Sequence, residues 1–124
     1  MMQLLSIAIG GAIGALCRYG MSNGVYALLG RGFPYGTLAV NILGSIIMGT
    51  AYVMLIERMD VSPELRAGIT IGLLGAFTTF STFSIETLNL LESGDLLKAS
   101  LNIVLSVTLC ITGCWLGMIV GRNI

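Results

Sequence analysis

No histidine occurs anywhere in this chain of 124 residues, and only six Lys plus Arg and six Asp plus Glu are present. Each scarcity excludes something. Without histidine the commonest metal ligand and general base is missing. Charged residues make up 10% of the chain, against roughly 25% in a soluble globular domain. In their place 56% of the residues are hydrophobic, with a mean hydropathy of +0.96. A soluble domain this small cannot hide that much apolar surface, so the expected solvent is lipid. The cysteines are three, Cys17, Cys110 and Cys114. An odd number, all within apolar runs, argues against a disulfide framework and reads as small buried thiols. The opening MMQLLSIAIGG lacks the basic region of a secretory signal peptide, and its apolar stretch runs on without a clear cleavage site. It reads as a first span. There are no paired carboxylates at membrane depth and no nucleophile beside an evident base, so an enzyme is not expected.

What charge there is marks out the spans. None precedes Arg18, and none lies between Arg31 and Glu57, Arg66 and Glu86, or Lys98 and Arg122. A membrane helix needs about 20 apolar residues. The expectation is an all-α integral membrane protein with four spans over 4–29, 36–56, 66–91 and 96–121. Short connections at 30–35, 57–65 and 92–95 would join them into one domain, residues 1–124.

Orientation normally follows the Lys and Arg of short loops. Arg58, Arg66 and Arg122 fall on one side, Arg31 and Lys98 on the other, with Arg18 partway along the first span. The tie leaves two readings open. Each copy could insert either way, with opposite orientations paired, or lipid and partner helices decide.

Small residues recur at helical spacing: Gly10 and Gly14, Gly68 and Gly72, then Gly113, Gly117 and Gly121. Such faces let membrane helices approach closely. Polar side chains at membrane depth are functional candidates by default. Thr37, Asn41 and Ser45 share one face of the second span, and Asn102, Ser106 and Cys110 share one face of the fourth. Either stripe could be interhelical glue or the lining of a polar passage. Arg18 could snorkel to the interface or supply a positive field at a water-filled entrance that favours anions.

The third span holds TTFSTFS, residues 78–84, whose β-branched and hydroxyl side chains disfavour a regular helix. A helix break following Gly75 would free carbonyl oxygens, which bind hard cations such as Na⁺. Phe80 and Phe83 lie together beside it, and the positive edge of an aromatic ring attracts a small anion. Hydroxyls such as that of Thr82, with the Asn41 amide, would replace the water of that anion.

The segments GGAIGALCRY, GTLAVNILG and GLLGAFTTFSTFSIET together resemble the Fluc/CrcB family of fluoride channels, over essentially the whole chain. The resemblance implies a small multi-pass protein of the bacterial cytoplasmic (inner) membrane, assembled as an antiparallel, dual-topology homodimer. It implies passive F⁻ export along two pathways per dimer, with a central structural Na⁺. By position, the family's paired rings fall on Phe80 and Phe83, its pathway asparagine on Asn41 with Thr37 one turn earlier, and its first-span basic residue on Arg18. The Na⁺ ligands fall on the backbone carbonyls of Gly75 and Thr78 of two subunits. The fourth-span polar track falls on Asn102, Ser106 and Cys110, so the expected fluoride pathway comprises Asn41, Phe80, Phe83, Thr37, Thr82, Ser106 and Arg18. Fluoride, lipid and a second copy are the expected partners, and nucleic acid is not. Two rivals remain. A small proton-coupled multidrug exporter needs a carboxylate in the first span, where residues 4–29 have none. A membrane scaffold subunit needs only the glycine seams, and leaves Asn41, Phe80 and Phe83 without purpose.

Overall fold

A computed structural model describes all residues, 1–124, and every regular element in it is helical. Helix α1 (Met2–Leu29) is followed by α2 (Tyr35–Tyr52), which runs on into a π turn (Val53–Arg58). Helix α3 (Pro63–Ala67), a second π turn (Gly68–Leu73) and α4 (Leu74–Phe77) follow in one line. Thr78 and Thr79 are extended, at φ −90°, ψ 159° and φ −151°, ψ 114°. Helix α5 (Phe80–Glu92) and helix α6 (Leu96–Asn123) complete the chain. Four stretches are long and apolar enough to cross a membrane: Met2–Leu29, Tyr35–Arg58, Pro63–Glu92 and Leu96–Asn123. Together they make a multi-pass membrane protein, and each exceeds its sequence-derived span by no more than a few residues at either end.

The element boundaries follow from local chemistry. Ser62 caps α3 by accepting from the Leu65 N–H at 3.2 Å, with Pro63 in the first helical turn, where its missing N–H costs nothing. Gly30 ends α1 at φ +82°, a conformation that glycine adopts freely, and its N–H donates to the Tyr26 carbonyl at 2.8 Å. Arg58 closes the far end of α6 by donating to the Gly121 carbonyl at 2.6 Å.

Two glycine seams hold the helices together. Helix α1 packs on the Gly68–Leu73 turn and α4, and α2 packs along α6. A Cβ at Gly10 would run into the Gly68 carbonyl, one at Gly14 into the Leu73 carbonyl, and one at Gly117 into the Ile46 carbonyl. Only glycine permits backbone approaches this close, which is how membrane helices gain packing where lipid gives no hydrophobic drive. Large apolar side chains cover much of the outer surface: Leu16, Ile111 and Trp115 are 72%, 66% and 59% exposed. Such side chains match a lipid solvent.

The π turns were not expected from the sequence. A π turn carries an extra residue, so it rotates whatever follows it. Gly72 and Gly75, three residues apart, therefore face different ways: Gly72 is buried against Ile7 of α1, whereas Gly75 is exposed. The interruption also falls later than immediately after Gly75, which lies within α4. Helical geometry ends at Phe77, because the following threonines have local partners that compete with the helix.

Candidate functional site

The junction between α4 and α5 is built by threonine chemistry. The Thr78 hydroxyl donates to the Leu74 carbonyl at 3.1 Å, the same oxygen that accepts from the Thr78 N–H at 3.2 Å. Thr79 is the N-cap of α5: its Oγ1 accepts from the Thr82 N–H at 3.1 Å and donates to the Thr82 Oγ1 at 3.0 Å. One helix is thus ended and the next begun within two residues.

Asn41 of α2 fastens this junction from the side. Its Nδ2 donates to the Thr79 carbonyl at 3.1 Å, and its Oδ1 accepts from the Thr79 N–H at 2.8 Å. The amide therefore satisfies both polar groups of one extended residue at membrane depth, where water cannot. In an uninterrupted helix the Thr79 N–H would bond to the Gly75 carbonyl. That carbonyl loses its regular donor to Asn41. The next carbonyl, of Ala76, accepts from Arg18 Nε at 3.0 Å. A cation on the carbonyl end of a helix satisfies orphan oxygens and suits the dipole. Arg18 is therefore tied to the junction, and it does not line the cavity described next.

That cavity, of about 390 Å³, lies where α2, α5 and α6 meet the extended residues. Asn41, Ser45, Thr78, Phe80, Phe83 and Ser106 line it, together with sulfur-bearing Met48, Cys110 and Cys114. The two rings stand with centroids 5.4 Å apart and planes tilted by 53°, within the favoured range for aromatic pairs. Phe80 is 75% exposed. An amide carries two N–H donors, so the second N–H of Asn41 remains available beside the rings.

The polar stripe of α6 divides in two. Asn102 is almost completely buried and donates to Thr87 Oγ1 at 2.8 Å, and Thr87 in turn donates to the Phe83 carbonyl at 2.7 Å. Ser106 donates to Asn102 Oδ1 at 3.4 Å. Asn102 is glue that fixes α5 on α6 at Phe83, whereas Ser106 and Cys110 face the cavity.

Of the polar and aromatic residues singled out from the sequence, Asn41, Ser45, Thr78, Phe80, Phe83, Ser106 and Cys110 come together on one cavity. Thr82, Gly75 and Arg18 surround the junction without lining it. Thr37 lies one turn from Asn41, buried, with its Oγ1 3.5 Å from the Tyr26 hydroxyl. Sequence reasoning missed that second cluster. The Tyr26 hydroxyl donates to Glu86 Oε2 at 2.8 Å, and Glu86 Oε1 is buried with no partner. The Arg31 guanidinium lies 4.4 Å from the centre of the Tyr26 ring. All three line another cavity, of about 420 Å³, with Asn89 and Ser93. The one available signal was Glu86 itself, a carboxylate within an apolar span, but nothing in the sequence assigns it to Tyr26.

Comparison with known proteins points the same way throughout. A family model described as CrcB-like protein, Camphor Resistance (CrcB), matches residues 5–118. The fluoride-specific ion channel FluC of Methylococcus capsulatus is 53% identical over 99% of this chain, which covers 54% of that protein. The fluoride-specific ion channel FluC of Magnetococcus marinus is 54% identical over 99% of this chain and 100% of the relative. That of Geobacter sulfurreducens is 50% identical, with both chains covered in full. The chain thus spans about half the length of the Methylococcus relative and the whole of the other two.

Proposed function

The chain belongs to the CrcB-like family, and we propose that it is a fluoride-specific ion channel of a bacterial cytoplasmic membrane, passing F⁻ out of the cell passively. Ion channels are not enzymes, and no reaction is assigned. The observation that carries the reading is the convergence of Asn41, Phe80, Phe83 and Ser106 on one cavity beside the extended threonines. A small anion in that cavity would exchange water for the free Asn41 N–H and the positive ring edges. The names of the relatives supply the ion. Liposomes loaded with fluoride and holding the purified protein test this. Fluoride release well above that of empty liposomes is expected, and release no faster than empty liposomes overturns the reading.

The functional unit in this reading is a homodimer of oppositely oriented copies with two pathways, each copy acting as a single domain. Support comes from the near-even Lys and Arg count across the two sides of the membrane, which gives neither orientation an advantage. Single cysteines placed in the connections near residues 32 and 94 should each be labelled from both sides of sealed vesicles. Labelling from one side only, with flux intact, removes the dual topology.

A central Na⁺ would be held by the Gly75 and Thr78 carbonyls of both copies. The residues fit such an ion: the Gly75 carbonyl has lost its regular helical donor to Asn41, Gly75 is exposed on the subunit, and carbonyl oxygens suit hard cations. Bound there, Na⁺ supplies positive charge that holds two junctions together. An ion bound only by the folded dimer stabilises it by mass action. Exchanging Na⁺ for a large organic cation should lower the melting temperature and the flux. Thr78→Val, which keeps the carbonyl, should retain the Na⁺ dependence. Identical stability and flux in both cations would count against the site.

A further inference from the structure

Three sulfur atoms belong to the cavity beside the phenylalanines, and of their residues only Cys110 lies on the polar track expected for fluoride. Cys110 and Cys114 lie one turn apart on α6, both half-buried and both lining the cavity, and Met48 of α2 joins them there. Side chains at i and i+4 of a helix have Cβ atoms about 5–6 Å apart on one face. That separation is right for two thiols to share one metal ion. We propose that Cys110 and Cys114 form a binding site for a soft divalent metal ion of the mercuric type, which closes the cavity when it binds.

Charge and ligand number select the ion. When Hg²⁺ enters as neutral mercuric chloride, two S–Hg bonds form and two Hg–Cl bonds break. The two thiols release two protons, two chlorides leave, and no electron is transferred. The product is a neutral bis-thiolate, and neutrality matters because an uncompensated charge at membrane depth is costly. A monovalent soft ion on two thiolates would leave a net negative charge. Zinc prefers four ligands in a tetrahedral arrangement, and this wall offers two thiols and a thioether. Mercuric ion is content with two thiolates in line, and the Met48 sulfur adds a weak third contact of the soft kind. No histidine or carboxylate stands among the cavity-lining residues to recruit a harder metal. The ion would sit on the wall that faces Phe80 and Phe83, filling the space an anion needs.

The site itself is independent of the transport reading; only the consequence, a blocked channel, rests on it. The experiment therefore reads binding and flux separately. Purified protein in which Cys17, the exposed thiol of α1, is replaced by alanine is titrated with mercuric chloride. Retention is then measured against a large excess of a monothiol. Retention of a single Hg²⁺ per chain is expected, with peptide mapping showing Cys110 and Cys114 both protected from alkylation. Cys110→Ser and Cys114→Ser should each lose the metal to the monothiol at least about tenfold more readily, because chelation is gone. Zinc should compete for neither thiol. In liposomes, mercuric chloride should reduce fluoride release of the Cys17→Ala protein by about tenfold or more, corresponding to some 1.4 kcal/mol at the barrier. A dithiol should restore that release, and a monothiol should not. Equal retention by the single-serine variants and their parent overturns the site, as does a map in which the two thiols react independently. Unchanged flux with the metal demonstrably bound overturns the block. If no preparation releases fluoride even before metal is added, the channel reading fails, while the retention comparison still decides the site.

Discussion

Asn41→Asp will reduce fluoride flux further than Asn41→Ala, although both substitutions loosen the α4–α5 junction. The two substitutions separate two duties of one amide. Alanine removes both hydrogen bonds to Thr79, leaving an N–H and a carbonyl unsatisfied at membrane depth. Each stranded group costs about 1–3 kcal/mol. Aspartate keeps an acceptor for the Thr79 N–H but loses the donor to the carbonyl, and it adds negative charge beside the cavity. Both variants therefore weaken the junction, alanine by two stranded groups and aspartate by one stranded group, a carboxylate oxygen set against the Thr79 carbonyl and an unpaired charge at membrane depth. Flux should fall further with aspartate, because repulsion acts on the anion directly and alanine supplies none. A lost hydrogen bond to a charged visitor is worth about 1.5–3 kcal/mol, or roughly ten- to a hundredfold in rate at the barrier. Flux and thermal unfolding measured on the same preparations give the comparison. If flux in the aspartate variant equals or exceeds that in alanine, Asn41 is a fastener of the junction only.

This division of labour marks the limit of what the sequence could disclose. Span positions were legible because lipid leaves so few places for charge, and each of the four long uncharged runs falls almost wholly within one of the four membrane-length helices. The glycine seams were legible because only a missing Cβ permits the approaches seen at Gly10, Gly14 and Gly117. Gathering Asn41, Phe80 and Phe83 on one pathway came from the family resemblance, because the period of one helix does not say what its neighbour brings to it. What was hidden depends on the phase between helices. A π turn rotates everything after it, yet GITIGL carries no composition that distinguishes it from an α turn. The pairing of Tyr26 with Glu86 spans 60 residues, and that of Arg18 with the Ala76 carbonyl 58. Such contacts exist only once three helices have settled in register. The same holds for Asn41: its position left interhelical glue and the lining of a passage both open, and only the packed helices reveal that half of the amide is committed to Thr79.

Replacing Phe80 or Phe83 with isoleucine should cut fluoride flux by at least about tenfold more than replacing either with methionine. The expectation rests on charge distribution and not on bulk. A ring presents a positive edge, and the 53° tilt between the two rings at 5.4 Å means that they do not stack face to face. Isoleucine is apolar and of comparable reach but has no quadrupole. Methionine has no ring either, yet its thioether is polarisable and its chain adapts to an irregular gap. Phe80 is the cleaner test. With 75% of its surface exposed in the subunit, shortening it removes little packing within the chain, so a loss of flux is hard to attribute to unfolding. Phe83 is half-buried, so its variants lose packing within the chain besides the aromatic pair, worth about 0.5–1.5 kcal/mol, that a substitution at either position breaks. The alternative is that the rings only cover the interrupted helix. Under that account isoleucine and methionine would behave alike, and flux would fall in step with melting temperature across all four variants. Flux from liposomes and thermal unfolding in detergent, measured on each, discriminate the two. Equal flux for isoleucine and methionine at position 80, with unfolding unchanged, would reduce the rings to packing and move the selective element to Asn41 and Ser106.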